Sequence, residues 1–180
     1  NFLLSAFEYI VNYHIEYYRN HDRENAERRG DIYQLAGSTN YILSYDKIRS
    51  ILKNNIFGVD IDPLAVEVSK FSLLLKALEN SSLEEAEAFH QRTTQRILPN
   101  LDENIKNGNS LVNMAYAGFD RSVYQNVSLM NKLKMFDWNV EFGNRKFDAI
   151  IGNPPYIRVQ NMVHYSREEY DFYKSSHSPY

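Results

Sequence analysis

The chain has no cysteine, which excludes disulfide bonds and cysteine-ligated zinc and suits a reducing compartment. Glycine and proline are sparse, at 7 and 5 residues, so neither a collagen-like nor a low-complexity composition applies. No apolar run approaches the roughly 18 residues that a membrane span requires, and no membrane partner is expected. An excess of one charge is missing too. With 20 Lys and Arg against 23 Asp and Glu, the net charge is −3, so the chain as a whole is not a basic clamp for nucleic acid. The opening Asn1-Phe2-Leu3-Leu4-Ser5-Ala6-Phe7 is apolar. It lacks the basic lead-in and small-residue cleavage site of a signal peptide. It also begins without Met, directly in an amphipathic pattern, as expected of a piece of a longer protein.

What is present is an ordinary globular balance, 43% hydrophobic and 24% charged over 180 residues, enough for one compact domain with its own core. The 14 Tyr and 10 Phe residues suit either a well-filled core or a surface that stacks on flat ligands. His14, His21, His90, His164 and His177 show no metal-ligand spacing, so no metal is expected and the histidines read as bystanders.

Apolar residues recur at helical spacing from Phe2 to Tyr18 through Leu3, Phe7, Ile10, Val11 and Ile15. The charged run from Arg19 to Gly30 reads as a solvated loop, and Asp46 to Lys53 as a short helix with Ile48, Ile51 and Leu52 inward. Ile56-Phe57-Gly58-Val59-Asp60 has the pattern of a short buried strand. Asp62 then suits an N-cap and Pro63 the first position of a helix reaching about Leu78. That helix is apolar almost all round, which predicts burial on more than one side. A polar, helical excursion near 80–100 follows, and Ile105 to Leu111 reads as a weak strand and turn. Trp138 and Phe142 are expected to pack. Phe147-Asp148-Ala149-Ile150-Ile151 reads as a second compact buried strand. Strands alternating with helices point to an α/β fold with a mostly parallel sheet flanked by helices.

Three places carry chemistry. Asp60 stands at the carboxyl end of a strand, just before a helix, where open α/β sheets bind ligands and a carboxylate can accept both ribose hydroxyls. Ile61 beside it can cover one face of an adenine; the plainer alternative is a helix-capping turn. Within Gly108-Asn109-Ser110 the Asn109 amide can meet the edge of an adenine, or simply make a turn. The third place is Asn153-Pro154-Pro155-Tyr156 at the end of a strand, a combination that about one random chain of this size in a thousand, or fewer, contains.

This last motif has a chemical logic. The exocyclic amine of adenine is a poor nucleophile because its lone pair is delocalised into the ring. The Asn153 side-chain oxygen and the Pro154 carbonyl can accept its two hydrogens, favouring a pyramidal nitrogen with its lone pair free to attack. The prolines fix the backbone, and Tyr156 can stack on a base flipped out of the duplex. A proline-rich ligand motif is the alternative, but the spacing is not Pro-x-x-Pro.

The order Asn55 to Val66, then Asn104 to Leu111, then Phe147 to Arg158 resembles the Eco57I-type adenine methylase domain of type II and IIG restriction-modification systems. The resemblance implies a Rossmann-like methyltransferase fold, here partial, spanning 1–180 as a single catalytic domain truncated at both ends. It implies S-adenosylmethionine as cofactor, with Asp60 on its ribose, Ile61 on its adenine, and Asn109 and Ser110 near the amino edge. Asn153, Pro154, Pro155 and Tyr156 match the target-adenine positions. The family's Gly-rich loop, Asp-Pro-x-x-Gly-x-Gly, is absent. Asn1-Phe2-Leu3 resembles the residues that follow that loop, which puts Phe2 among the cofactor-binding residues.

The expected partner is double-stranded DNA, contacted mostly through regions outside this piece, in the bacterial cytoplasm. Alone, the piece is expected to be inactive, and an exposed sheet edge favours a homodimer. Two other readings use the same loop or fragment. One is a glutamine methyltransferase of peptide-release factors, or an RNA methyltransferase; the other is a degenerate, non-catalytic module.

Overall fold

The computed structural model describes residues 2–34, 37–79, 81, 83–112, 126–153 and 167–176. Pro154, Pro155 and Tyr156 lie outside the described residues, as do Arg158, Gln160, His164 and His177. The chain divides into two compact units, Asn1–Gly58 with Leu64–Lys106, and Val59–Pro63 with Asn107–Tyr180.

In the first unit, the periodic apolar residues produce α1 (Phe2–His21), which buries Phe7, Val11 and Tyr18. Tyr9, Tyr13 and Tyr17 on the opposite side stay exposed, with Tyr13 stacked on Tyr17 and Tyr17 on His21. The run from Arg19 to Gly30, expected as a loop, is mostly helical: α1 continues to His21 and α2 spans Arg23–Arg29. Arg, Glu and Ala are strong helix formers, and Ala26 is fully buried. Gly30 closes α2 in the left-handed region (φ 73°), its N–H directed to the carbonyls of Ala26 and Glu27. Arg29 bridges Asp22 at 2.9 Å and Asp31 at 2.8 Å.

A hairpin that the sequence pattern did not predict follows. β1 (Ile32–Gln34) and β2 (Tyr41–Leu43) pair antiparallel, Ile32 opposite Leu43. α3 (Tyr45–Asn55) buries Tyr45, Ile48, Ile51 and Leu52, at the spacing of one helix face. Phe7, Ile32, Leu43, Ile48, Leu52 and Leu73 belong to one hydrophobic cluster. Tyr45, Ala86 and Phe89 form a second, with Ala86 and Phe89 supplied by α5 (Leu83–Thr93).

α4 (Pro63–Glu79) departs from expectation. Its buried residues are Val66, Leu73 and Ala77, while Leu64, Val68, Phe71 and Leu75 are exposed. The helix is apolar on two sides but covered on one, because the first unit supplies packing partners to a single face.

β3 (Gly58–Asp60) and β4 (Ile105–Asn107) form a second two-stranded sheet, with Gly58 N–H donating to the Asn104 carbonyl at 2.9 Å. Asn104 anchors this junction. It is 2% exposed, and its Nδ2 donates to the carbonyls of Lys53 at 2.8 Å and Ile56 at 2.9 Å, with Leu52 O at 3.4 Å. One side chain thus satisfies backbone acceptors at the end of α3 that burial would otherwise leave unpaired.

The second unit contains α6 (Val127–Leu133), α7 (Trp138–Phe142) and α8 (Arg167–Ser176). Asn126 caps α6 by accepting from Leu129 N, and Asp137 caps α7 by accepting from Asn139 N and Val140 N. Trp138 and Phe142 pack as expected, edge or tilted against each other, Phe136 and Phe147. Beyond Phe147 the expected buried strand is not formed. Residues 148–151 lie outside any strand, and Ile150 is 80% exposed. Such a run becomes a buried strand only when neighbours hydrogen-bond to it, and no described strand pairs with it. No helix among the described residues is long and apolar enough to cross a membrane.

Candidate functional site

The second unit gathers four of the sequence-predicted residues: Asp60, Ile61, Asn109 and Ser110. The link is made by backbone. Asp60 O accepts from Gly108 N–H and from Asn107 Nδ2, each at 2.9 Å, so the end of β3 lies beside the turn that leaves β4. Gly108 is favoured there: a Cβ on it would sit 2.5 Å from Phe136 Cδ2, so a larger residue would force that ring to shift.

The Asp60 residue is exposed. Its Oδ1 accepts from Asp62 N–H at 2.8 Å, a turn-forming bond that orients the carboxylate. The turn expected as the plainer alternative is therefore present, on a residue that stays exposed. Ile61 is 50% exposed, an apolar surface next to that carboxylate, and its carbonyl accepts from Lys134 Nζ at 2.8 Å. Lys134 ends α6 in the left-handed region, φ 46°. Its own carbonyl accepts from Asn109 N–H at 2.6 Å, and Asn109 and Met135 make a parallel bridge. Lys134 thus ties Ile61 to Asn109 from opposite ends of one residue.

Asn109 is 7% exposed. Its Nδ2 donates to Glu169 Oε1 of α8 at 2.7 Å, and its Oδ1 accepts from Leu111 N–H at 3.2 Å. Burial pushes the Glu169 carboxyl above its ordinary range, opposed by the Asn109 hydrogen bond and by Lys132. Tyr173, one helical turn further, is also raised by burial and by the Glu169 charge, and lowered by a hydrogen bond with Asn109. Ser110 is exposed, and its carbonyl accepts from Trp138 Nε1 at 2.9 Å.

No described contact joins the remaining predicted residues to this group. Phe2 belongs to the other unit, where it is exposed. Asn153 is exposed at the end of the unpaired segment, and Pro154, Pro155 and Tyr156 lie outside the described residues. Lys134 and Glu169 were missed by sequence reading: each acts across 60 residues or more of chain, and neither sits in a recognisable motif. Among the described residues no group of His, Asp and Glu is arranged to hold a metal.

An exposed carboxylate, a half-exposed apolar side chain and a buried amide thus stand at neighbouring strand ends. Comparison with known proteins places the chain among the methylases. The Eco57I restriction-modification methylase family matches residues 54–180, and the chain belongs to that family. It is 33% identical over 173 residues to the type II restriction enzyme and methyltransferase RM.Eco57I of Escherichia coli, covering 96% of this chain and 15% of that protein. It is 40% identical over 68 residues to the putative type II restriction enzyme and methyltransferase RM.MjaORFECS2P of Methanocaldococcus jannaschii, covering 38% of this chain and 5% of that protein. The chain therefore spans a small part of the curated relatives it matches. No solved structure matches it.

Proposed function

We propose that this chain carries the cofactor and catalytic segments of an S-adenosylmethionine-dependent DNA adenine methyltransferase of a restriction-modification system. The observation that carries the reading is the Asn153-Pro154-Pro155-Tyr156 sequence inside a methylase-family match that also includes Asp60 and Asn109. The donor set at the strand ends supports it. Asp60 has an exposed carboxylate for ribose hydroxyls, Ile61 an apolar face for a purine, and Asn109 an amide for the purine edge, with Ser110 next to it. On the family resemblance alone, Phe2 is a further cofactor-binding residue. Bound there, S-adenosylmethionine supplies an electrophilic methyl group.

The chain's own part is positioning. Asn153 Oδ1 and the Pro154 carbonyl accept the two hydrogens of the target amine, which frees its lone pair. Pro155 stiffens the backbone, and Tyr156 stacks on the flipped base. No covalent enzyme intermediate is needed, because hydrogen bonding and orientation lower the barrier directly. The reading implies a Rossmann-like, mostly parallel sheet, double-stranded DNA as partner, and a cytoplasmic setting in a bacterial cell.

Nucleoside mass spectrometry on DNA from cells expressing the full gene, wild type beside Asn153→Ala, tests this. Methyladenine should appear with wild type and fall by roughly 100-fold or more in the variant, the scale of losing a group that stabilises the transition state. Folded wild-type protein that yields no methyladenine would refute it and favour a peptide-release-factor glutamine or an RNA base as methyl acceptor.

A further inference from the structure

The contact between Asn109 and α8 has a consequence for which purine the site accepts. An ionised carboxylate only accepts hydrogen bonds and a backbone N–H only donates. Glu169 Oε1 at 2.7 Å and Leu111 N–H at 3.2 Å therefore fix the Asn109 amide in one of its two orientations, Nδ2 toward α8 and Oδ1 away from it. Tyr173 bonds the same side chain one turn further along α8. Beyond the Leu111 bond, Oδ1 keeps a second lone pair, an acceptor directed away from α8. An acceptor at a purine edge pairs with a 6-amino group and opposes a 6-oxo group.

We propose that Glu169 is a positioning residue for cofactor selection: it holds Asn109 with Nδ2 toward α8 and Oδ1 away from it, so that the site takes adenine and rejects its 6-oxo counterpart. This rests on the cofactor reading above. Glu169 is half-buried, with Phe172 buried one turn along α8, Lys132 of α6 acting on its charge and Glu168 near Lys132 at 4.0 Å. A carboxylate withdrawn from water in this way carries a desolvation penalty, which its hold on Asn109 offsets.

The test measures binding of S-adenosylhomocysteine and of its 6-oxo analogue, S-inosylhomocysteine, by calorimetry on the full chain, for wild type, Glu169→Ala, Glu169→Gln and Asp60→Ala. Glu169→Ala should weaken S-adenosylhomocysteine about tenfold, the worth of one well-placed hydrogen bond, and leave S-inosylhomocysteine unweakened or bound more tightly, because a freed Asn109 can turn its Nδ2 toward the 6-oxo group. Glu169→Gln, whose carbonyl still accepts from Asn109, should stay within about threefold of wild type. Asp60→Ala should weaken both ligands alike. Equal losses of both ligands in Glu169→Ala would mean that the contact only supports the fold, and no change in either would mean that Asn109 does not read the purine. Both outcomes overturn the proposal while Asp60→Ala still reports on the cofactor site. Wild type that binds neither ligand sinks the cofactor reading and this proposal together.

Discussion

Replacing Asn104 with Ala removes the donor that serves the end of α3. The two short bonds, to Lys53 O at 2.8 Å and Ile56 O at 2.9 Å, use both hydrogens of the amide, so Leu52 O at 3.4 Å is at best a shared acceptor. Each carbonyl left unpaired, Ile56 O buried and Lys53 O partly so, costs about 1–1.5 kcal/mol. The small cavity adds a part of a kcal/mol, which brings the loss to about 3 kcal/mol. In a unit of about 100 residues, each kcal/mol lowers the melting temperature by about 4–8 °C, so a fall of more than 10 °C is expected in the transition of the first unit. Calorimetry on the full chain gives that number. Hydrogen exchange gives its location, because Gly58 N–H bonds to the Asn104 carbonyl and should lose protection with it. Asn104→Asp should be at least as severe, since it turns a carboxylate toward carbonyl oxygens. A fall of less than 3 °C in Asn104→Ala, with Gly58 still protected, would refute the argument that this side chain holds the junction.

Gly108→Ala should cost roughly 1–3 kcal/mol, because the added methyl meets the Phe136 ring and Phe136 is itself buried against Trp138 and Phe142. A changed near-ultraviolet signal from Trp138, the only tryptophan, would report the shift, and an unchanged signal and melting temperature would count against it. The Glu169 carboxyl is raised in the folded state, burial being the largest cause. Its contribution to stability is therefore fully present below the ordinary glutamate range and lost as pH rises through the raised value. Glu169→Gln should accordingly melt above wild type at pH 8 and level with it below pH of about 4; a difference independent of pH would contradict this.

How far the sequence reached follows from the range of each signal. Ile48, Ile51 and Leu52 gave α3 because a buried helix face writes its own period into neighbouring residues. The place of Asp60 was legible, at the end of a short apolar strand and before Pro63, and there its carboxylate accepts from Asp62 N–H. α2 was not, since its one buried residue, Ala26, makes no period in a run of charges. The three-residue strands of the hairpin were too short to alternate. Ile150 and Ile151 show the opposite failure: their apolar run announces a strand, but a strand is completed by neighbours, and burial depends on them. The bonds from Asn104 to α3 and from Asn109 to Glu169 join residues about 50 and 60 positions apart, which no local pattern encodes.

Lys134 is a position where backbone and side chain favour different residues. Its left-handed φ of 46° costs a side-chain-bearing residue about 1 kcal/mol that glycine would not incur, yet glycine has no amine to reach Ile61 O. Asparagine tolerates the backbone but is too short for the 2.8 Å contact that Nζ makes, whereas arginine has the length with the same strain. Tolerance at this one site should therefore follow reach rather than backbone ease, the reverse of an ordinary helix end, so a substitution table built from helix caps would misrank it.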